Sequence, residues 1–246
     1  MNASQTLSQN HADVLARIAA ACARSGRDPH DQNNGVALIW VSKTHPVETI
    51  VAANEIGARL FGENRVQEVL AKFPLPPRAE ASGNPGPRDY ELHLIGSLQR
   101  NKVRKVLPLC STIHSVDTPE LWEAINRIAG ELGVRRRVLV QVNTSREPNK
   151  GGVAPEALMD FLAALPAAPH VDLIGLMTMG PLEGGPEAAR PCFRELAELL
   201  AEARARFAAR HPLLAKLSMG MSGDFEIAVE EGAHYVRVGT ALFGGR

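Results

Sequence analysis

The chain has 246 residues, is 45% hydrophobic, and carries 27 basic and 27 acidic side chains. That length suffices for a sizeable core and is close to that of one α/β barrel, while the neutral balance leaves no electrostatic footprint for nucleic acid and no polybasic membrane segment. The N-terminus lacks the basic, apolar and small-residue order of a secretory signal, and no window reaches the ~18 apolar residues of a membrane span, so a cytoplasmic protein is expected. Cys22, Cys110 and Cys192 are odd in number, widely spaced and without metal-ligand neighbours, and read as reduced thiols with no metal site.

In chain order, a helix over about 7–24 and a lead-in to residue 35 come first. Short apolar runs then recur as candidate strands at 36–42, 58–62, 91–96, 112–116, 137–143, 172–178, 215–220 and 234–239. Several are continuous rather than alternating, as expected where both faces of a parallel sheet are covered. Helical patterns fill the gaps: after Pro46, after Glu63, from Gln99, from Pro155, from Glu187 and from Gly223. The best signalled begins at Thr118-Pro119, with a capping residue and a first-turn proline, then Leu121, Ile125, Ile128 and Leu132 at helical spacing, and Gly133 at the end. The stretch 74–89, rich in Pro, Gly and charge, reads as a long mobile surface loop. Eight strands alternating with helices predict a single (β/α)8 TIM barrel over 1–246, with the additional N-terminal helix packed on its bottom or flank.

In such barrels, sites gather where strands end at the C-terminal face. Lys43 follows strand 1, Glu63 and Asn64 strand 2, Ser97 strand 3, Asn143 strand 5, Thr178 strand 6, Ser222 strand 7 and Thr240 strand 8. "SMGMSGDFEIA" and "VRVGTALFGG" place two glycine-bearing turns with hydroxyls at adjacent strand ends. With a helix N-terminus behind one of them, they are suited to a dianionic phosphate. Taken singly, each has a plain structural reading: Ser222 caps a helix and Gly239 makes a turn. Lys43, at the mouth and on the strand that neighbours strand 8 on closure, is a candidate Schiff-base lysine if desolvation supplies the neutral amine. Lysine, aldehyde and phosphate together suggest pyridoxal 5′-phosphate (PLP), or a phosphorylated sugar as in a lysine-dependent aldolase; spacing leaves both open.

At these residues the sequence resembles the YggS/PROSC family of PLP homeostasis proteins. The matching segments are "VSKTHPVETI", "FGENRVQE", "HLIGSLQRNKV", "IHSVD", "VLVQVNTSREPNKGG", "GLMTM", "LSMGMSGDFEIAVEEG" and "VRVGTALFG", in order over about 36–245. The resemblance implies that Lys43 forms the Schiff base, that Ser222, Gly239 and Thr240 contact the phosphate, and that Arg237 faces the pyridine nitrogen. Asn64, His93 and Met219 match motif positions near the pocket, although His93 in an apolar run also reads as a satisfied core histidine and Met219 as packing. His45, Arg65, Ser97 and Arg100 depart from the family pattern without touching these groups. Glu147, Lys150 and Gly152 keep it.

The barrel also resembles the N-terminal domain of alanine racemase, which needs a tyrosine acid–base partner delivered from an additional β domain. Here the eighth strand is followed only by a short tail to Arg246, and Tyr90 and Tyr235 are the only tyrosines. An arginine at the pyridine nitrogen also leaves the ring a poor electron sink. The expectation is a non-catalytic PLP binder in vitamin B6 homeostasis, a monomer or weak homodimer that delivers PLP to apoenzymes and influences amino-acid and keto-acid balance. A PLP-dependent racemase and a cofactor-free lysine aldolase are the alternatives.

Overall fold

The computed structural model describes residues 3–74, 78–79, 85–86 and 89–245. The barrel strands are β1 (Ala37–Val41), β2 (Leu60–Glu63), β3 (Glu91–Leu94), β4 (Thr112–Val116), β5 (Arg136–Gln141), β6 (Val171–Met177), β7 (Lys216–Met221) and β8 (Tyr235–Val238). All pairs are parallel, and β1 closes on β8 with Ile39 opposite Arg237 and Trp40 opposite Val238. The (β/α)8 barrel expected from the sequence is therefore observed. Most of the expected loop 74–89 lies outside the described residues; within it Arg78–Ala79 and Pro85–Gly86 pair antiparallel, apart from the barrel.

Helices cover the outer face: α1 (Ala3–Arg24), α2 (Val47–Glu55), α3 (Val66–Lys72), α4 (Val103–Val106), α5 (Pro119–Glu131), α6 (Leu158–Ala164), α7 (Arg190–Phe207), α8 (Phe225–Glu230) and α9 (Thr240–Phe243). The signals at α5 act as read. Thr118 accepts a hydrogen bond from the Leu121 N–H at 3.3 Å, Leu121, Trp122, Ile125, Ile128 and Ala129 are buried, and Gly133 leaves at φ 65°. Trp122 also donates from Nε1 to the Pro166 carbonyl at 3.1 Å, so burial of its ring leaves no orphan donor.

Helix α1 lies on the flank, burying Leu7, Val14, Ile18, Ala21 and Cys22 against α8 and α9. Arg17 pairs with Glu226 at 2.8 Å and Arg24 with Glu230 at 2.7 Å, and Asn10 donates to the Leu242 carbonyl at 2.8 Å. The helix thus clamps the two elements that follow β7 and β8.

Strand parity divides the core in two. Val138, Val140, Leu173, Leu176, Leu217, Met219, Val236 and Val238 join the large layer between strands and helices, whereas Leu139, Ile174 and Met177, with Tyr235 against them, fill the barrel interior. The polar residues His93, His114, Ser218 and Arg237 are nearly or fully buried as well. Because they interrupt apolar strands deep inside the molecule, their hydrogen-bond partners decide what they do.

Candidate functional site

The turns after β7 and β8 are joined by one hydroxyl. Ser222 Oγ accepts from the backbone N–H of Gly239 at 3.1 Å and of Ala241 at 3.4 Å. Gly220, at φ 88°, lets β7 bend into this turn, and a Cβ there would press on Ala228 and Phe225. Gly239 lies against Val41, two residues before Lys43, so the end of β1 and the cup at β7–β8 share one rim. Among the described residues, no partner takes the N–H of Gly223 or Thr240, and Thr240 is exposed. Asp224 is turned back to its own loop, accepting from the Met221 N–H at 2.5 Å, and burial raises its pKa despite the Met221 bond and the nearby Arg237 charge. The donors come from turns, since α8 is only six residues long and contributes little dipole.

Lys43 stands exposed at the end of β1. The burial that would desolvate a nucleophilic lysine is not observed at this position. Asn64 is half-buried beside it on the β2 loop, packed against Gly96 and bordering a cleft lined by Arg65, Ser97, Gln99 and Lys102. Glu63, by contrast, does not reach the mouth: it is fully buried, bonded to Ser42 Oγ at 2.7 Å and to Lys72 Nζ at 2.9 Å.

Arg237 is 4% exposed and points inward from β8, donating from Nη1 to Ser218 Oγ at 2.7 Å and from Nη2 to the Thr178 carbonyl at 2.8 Å. Burial lowers its pKa to about 10, partly offset by Asp224, which leaves a cation at neutral pH. Behind it runs a chain the sequence reading did not foresee. Ser218 Oγ lies 2.9 Å from His114 Nδ1, His114 Nε2 lies 2.9 Å from His93 Nδ1, and His93 Nε2 lies 2.9 Å from Glu91 Oε1.

Glu91, an acceptor also bound by Ser111 and Arg137, fixes every proton in this row. His93 donates from Nε2 to Glu91, His114 donates from Nε2 to His93, and Ser218 donates to His114 while accepting from Arg237. Burial brings His93 down to about 3 and, first among the causes, holds His114 well below the usual imidazole value, where the coupling to His93 and the Arg237 charge also oppose its protonation. The His93–Glu91 contact is therefore a hydrogen bond from a neutral ring, not an ion pair. Tyr235 stacks edge-on against both rings, with centroids 5.6 and 5.7 Å away.

Two of the expected site residues lie beneath the rim. Met219 follows Ser218 and has the opposite parity, with its side chain fully buried in the layer behind the strands. His93 has both ring nitrogens engaged inside the barrel and joins the site only through His114 and Ser218. Polar residues of inward parity in otherwise apolar strands were the sequence signal for His114 and Ser218. Elsewhere on the rim, Lys150 pairs with Glu147 and donates to the Gly180 carbonyl at 2.5 Å, which ties the loop after β5 to that after β6.

A lysine after the first strand and a hydroxyl-braced cup at the last two strand ends place this barrel in the alanine racemase N-terminal domain family, whose model matches residues 18–246. An alanine racemase from Clostridium difficile 630 has the same fold, with a TM-score of 0.67 at 15% identity, over 98% of this chain and 56% of that one. Much nearer is a relative from Aquifex aeolicus (strain VF5) named pyridoxal phosphate homeostasis protein, 42% identical over 246 residues, which are 100% of this chain and 99% of the relative. PipY of Synechococcus elongatus PCC7942, in the structure solved with PLP bound, is 40% identical with a TM-score of 0.74, over 92% of this chain and 100% of that one. The chain belongs to the family of pyridoxal phosphate homeostasis proteins.

Proposed function

We propose that this barrel holds PLP at its mouth and serves to store and hand on the cofactor within the cell. The observation that carries this reading is the convergence on one rim of Lys43 and the Ser222-braced turns with open N–H groups, with Arg237 held inside the barrel two residues before Gly239. The residues suit the group. The cup presents donors and no free carboxylate to a phosphate, and Arg237 reaches the interior side as a cation that donates but does not give up its proton.

PLP held there would supply an aldehyde able to condense with a lysine amine, with loss of water. Lys43 is the residue for that role, Ser222, Gly239 and Thr240 for the phosphate, Arg237 for the ring nitrogen, and Asn64 for the near wall. Arg237 is kept in place by Ser218 and the Thr178 carbonyl, so its charge is aimed before any ligand arrives.

A racemase reading needs an acid–base group opposite the lysine. Tyr235 lies at the start of β8 against His93 and His114, and Tyr90 packs on Phe61 and Phe73 at 6.2 and 5.5 Å, so neither is near the rim. This favours a binder over a turnover enzyme. No described helix is long and apolar enough to cross a membrane. The test is to saturate the protein with PLP and incubate it with amino acids in deuterated water and, separately, with an apoenzyme. Retention of α-protons together with activation of the apoenzyme is expected. Rapid α-proton exchange would favour the racemase.

A further inference from the structure

The backbone on both sides of Lys43 is gripped by one cluster of charged side chains. Before it, the Ser42 carbonyl accepts from Lys72 Nζ at 2.8 Å, and Ser42 Oγ donates to Glu63 at 2.7 Å. After it, the Thr44 N–H donates to Glu68 Oε2 at 2.6 Å. Lys72 joins the two halves, pairing with Glu63 at 2.9 Å and with Glu68 at 2.6 Å. Glu63 is fully buried and Lys72 is only 10% exposed, so the Glu63–Lys72 pair is poorly screened by solvent, whereas the Thr44–Glu68 bond lies at the surface.

Thr44 shows what the cluster holds. Its φ of 67° lies in the left-handed region, a rare conformation for a β-branched residue and one that persists only where the surroundings over-determine it. Glu68 is the group that fixes the Thr44 amide, and Lys72 holds Glu68. The turn is closed locally by the His45 N–H on the Ser42 carbonyl at 3.1 Å and by the Thr44 hydroxyl on the Lys43 carbonyl at 2.5 Å, and Glu68 adds the bond that holds the Thr44 amide from outside it. Lys72 spends its donors on the Ser42 carbonyl and the two carboxylates, whereas Lys43 stands exposed.

We propose that Glu63, Lys72 and Glu68 form a charge clamp that positions Lys43, acting through the backbone of Ser42 and Thr44. They are positioning residues that need not touch the ligand. The inference rests on the reading of Lys43 as the PLP-binding amine, and its test carries a readout that does not depend on that reading.

The decisive variant is Glu68→Ala, since Glu68 is partly exposed and its loss leaves the buried Glu63–Lys72 pair intact. Three quantities are compared with the wild type: amide hydrogen exchange at Thr44, acetylation of Lys43 relative to the exposed Lys105, and the rate at which PLP and borohydride label Lys43. Faster Thr44 exchange, an altered Lys43-to-Lys105 acetylation ratio and at least ten-fold slower labelling are expected. Glu68→Gln, which keeps an acceptor for the Thr44 N–H, should label faster than Glu68→Ala, and adding Thr44→Gly to Glu68→Ala should restore part of the rate by removing the left-handed penalty. Wild-type exchange and acetylation in a folded Glu68→Ala protein would overturn the clamp. If the wild type itself takes no label at Lys43, the PLP reading fails, and the exchange and acetylation results still decide the inference.

Discussion

The neutral pair His93–His114 makes a prediction about acid. An unfolded chain protonates each imidazole near pH 6.5, whereas in the folded barrel His93 resists until about 3 and His114 is likewise held well below 6.5 by burial. Folded-state values depressed in this way give stability that is full above about pH 6.5 and is lost as pH falls, because the unfolded state binds protons that the folded state excludes. The loss approaches about 1.4 kcal/mol per pH unit for each histidine, or about 2 kcal/mol each between pH 7 and 5. The double variant His93→Gln/His114→Gln keeps a donor and an acceptor at each position but cannot titrate. Its urea-unfolding free energy should therefore fall by about 4 kcal/mol less than the wild type over that interval. Glu63, Asp117 and Asp224, whose pKa values burial raises, act in the opposite sense but are present in both proteins and cancel. Parallel stability–pH curves for the two proteins would refute the neutral relay, and with it the assigned proton positions behind Arg237.

Lys43→Ala should lose all borohydride-fixed label while retaining weak PLP binding through the cup; label surviving in that variant would move the amine elsewhere. Ser222→Ala removes the hydroxyl that joins the two turns, and PLP binding should weaken by about 1.5–3 kcal/mol, on the order of ten- to a hundred-fold in Kd. An unchanged Kd by equilibrium dialysis would take Ser222 out of the site. Gly96→Ala would drive a Cβ into the backbone carbonyl of Asn64, so both Tm and PLP affinity should drop, and a wild-type thermal melt would show that the β2 and β3 loops are not packed as described.

The barrel was legible in the sequence because its signals are local. Continuous apolar strands, the Thr118-Pro119 start of α5 and the turn at Gly133 each follow from side chains within a few residues. The strand-end rule then pointed to Lys43, Ser222, Gly239 and Thr240, which stand at the ends of β1, β7 and β8. What the sequence did not disclose depends on parity and on distance along the chain. Met219 and Ser218 are neighbours that face opposite layers, and only the register of β7 tells them apart. His114 and Ser218 are 104 positions apart yet share a hydrogen bond, and Glu63 turns inward at the end of β2 to meet a lysine on the next helix. Such links arise from barrel closure, which no short motif encodes.

The central claim is that Lys43 is the amine that captures PLP. Its most direct test is an absorbance spectrum of the purified protein mixed with PLP, followed by borohydride reduction and peptide mass mapping. A yellow complex and a phosphopyridoxyl mass on the peptide bearing Lys43, with none on those bearing Lys72 or Lys150, is the predicted result. A colourless protein that takes up no PLP, or a label mapped to another lysine, would contradict the account.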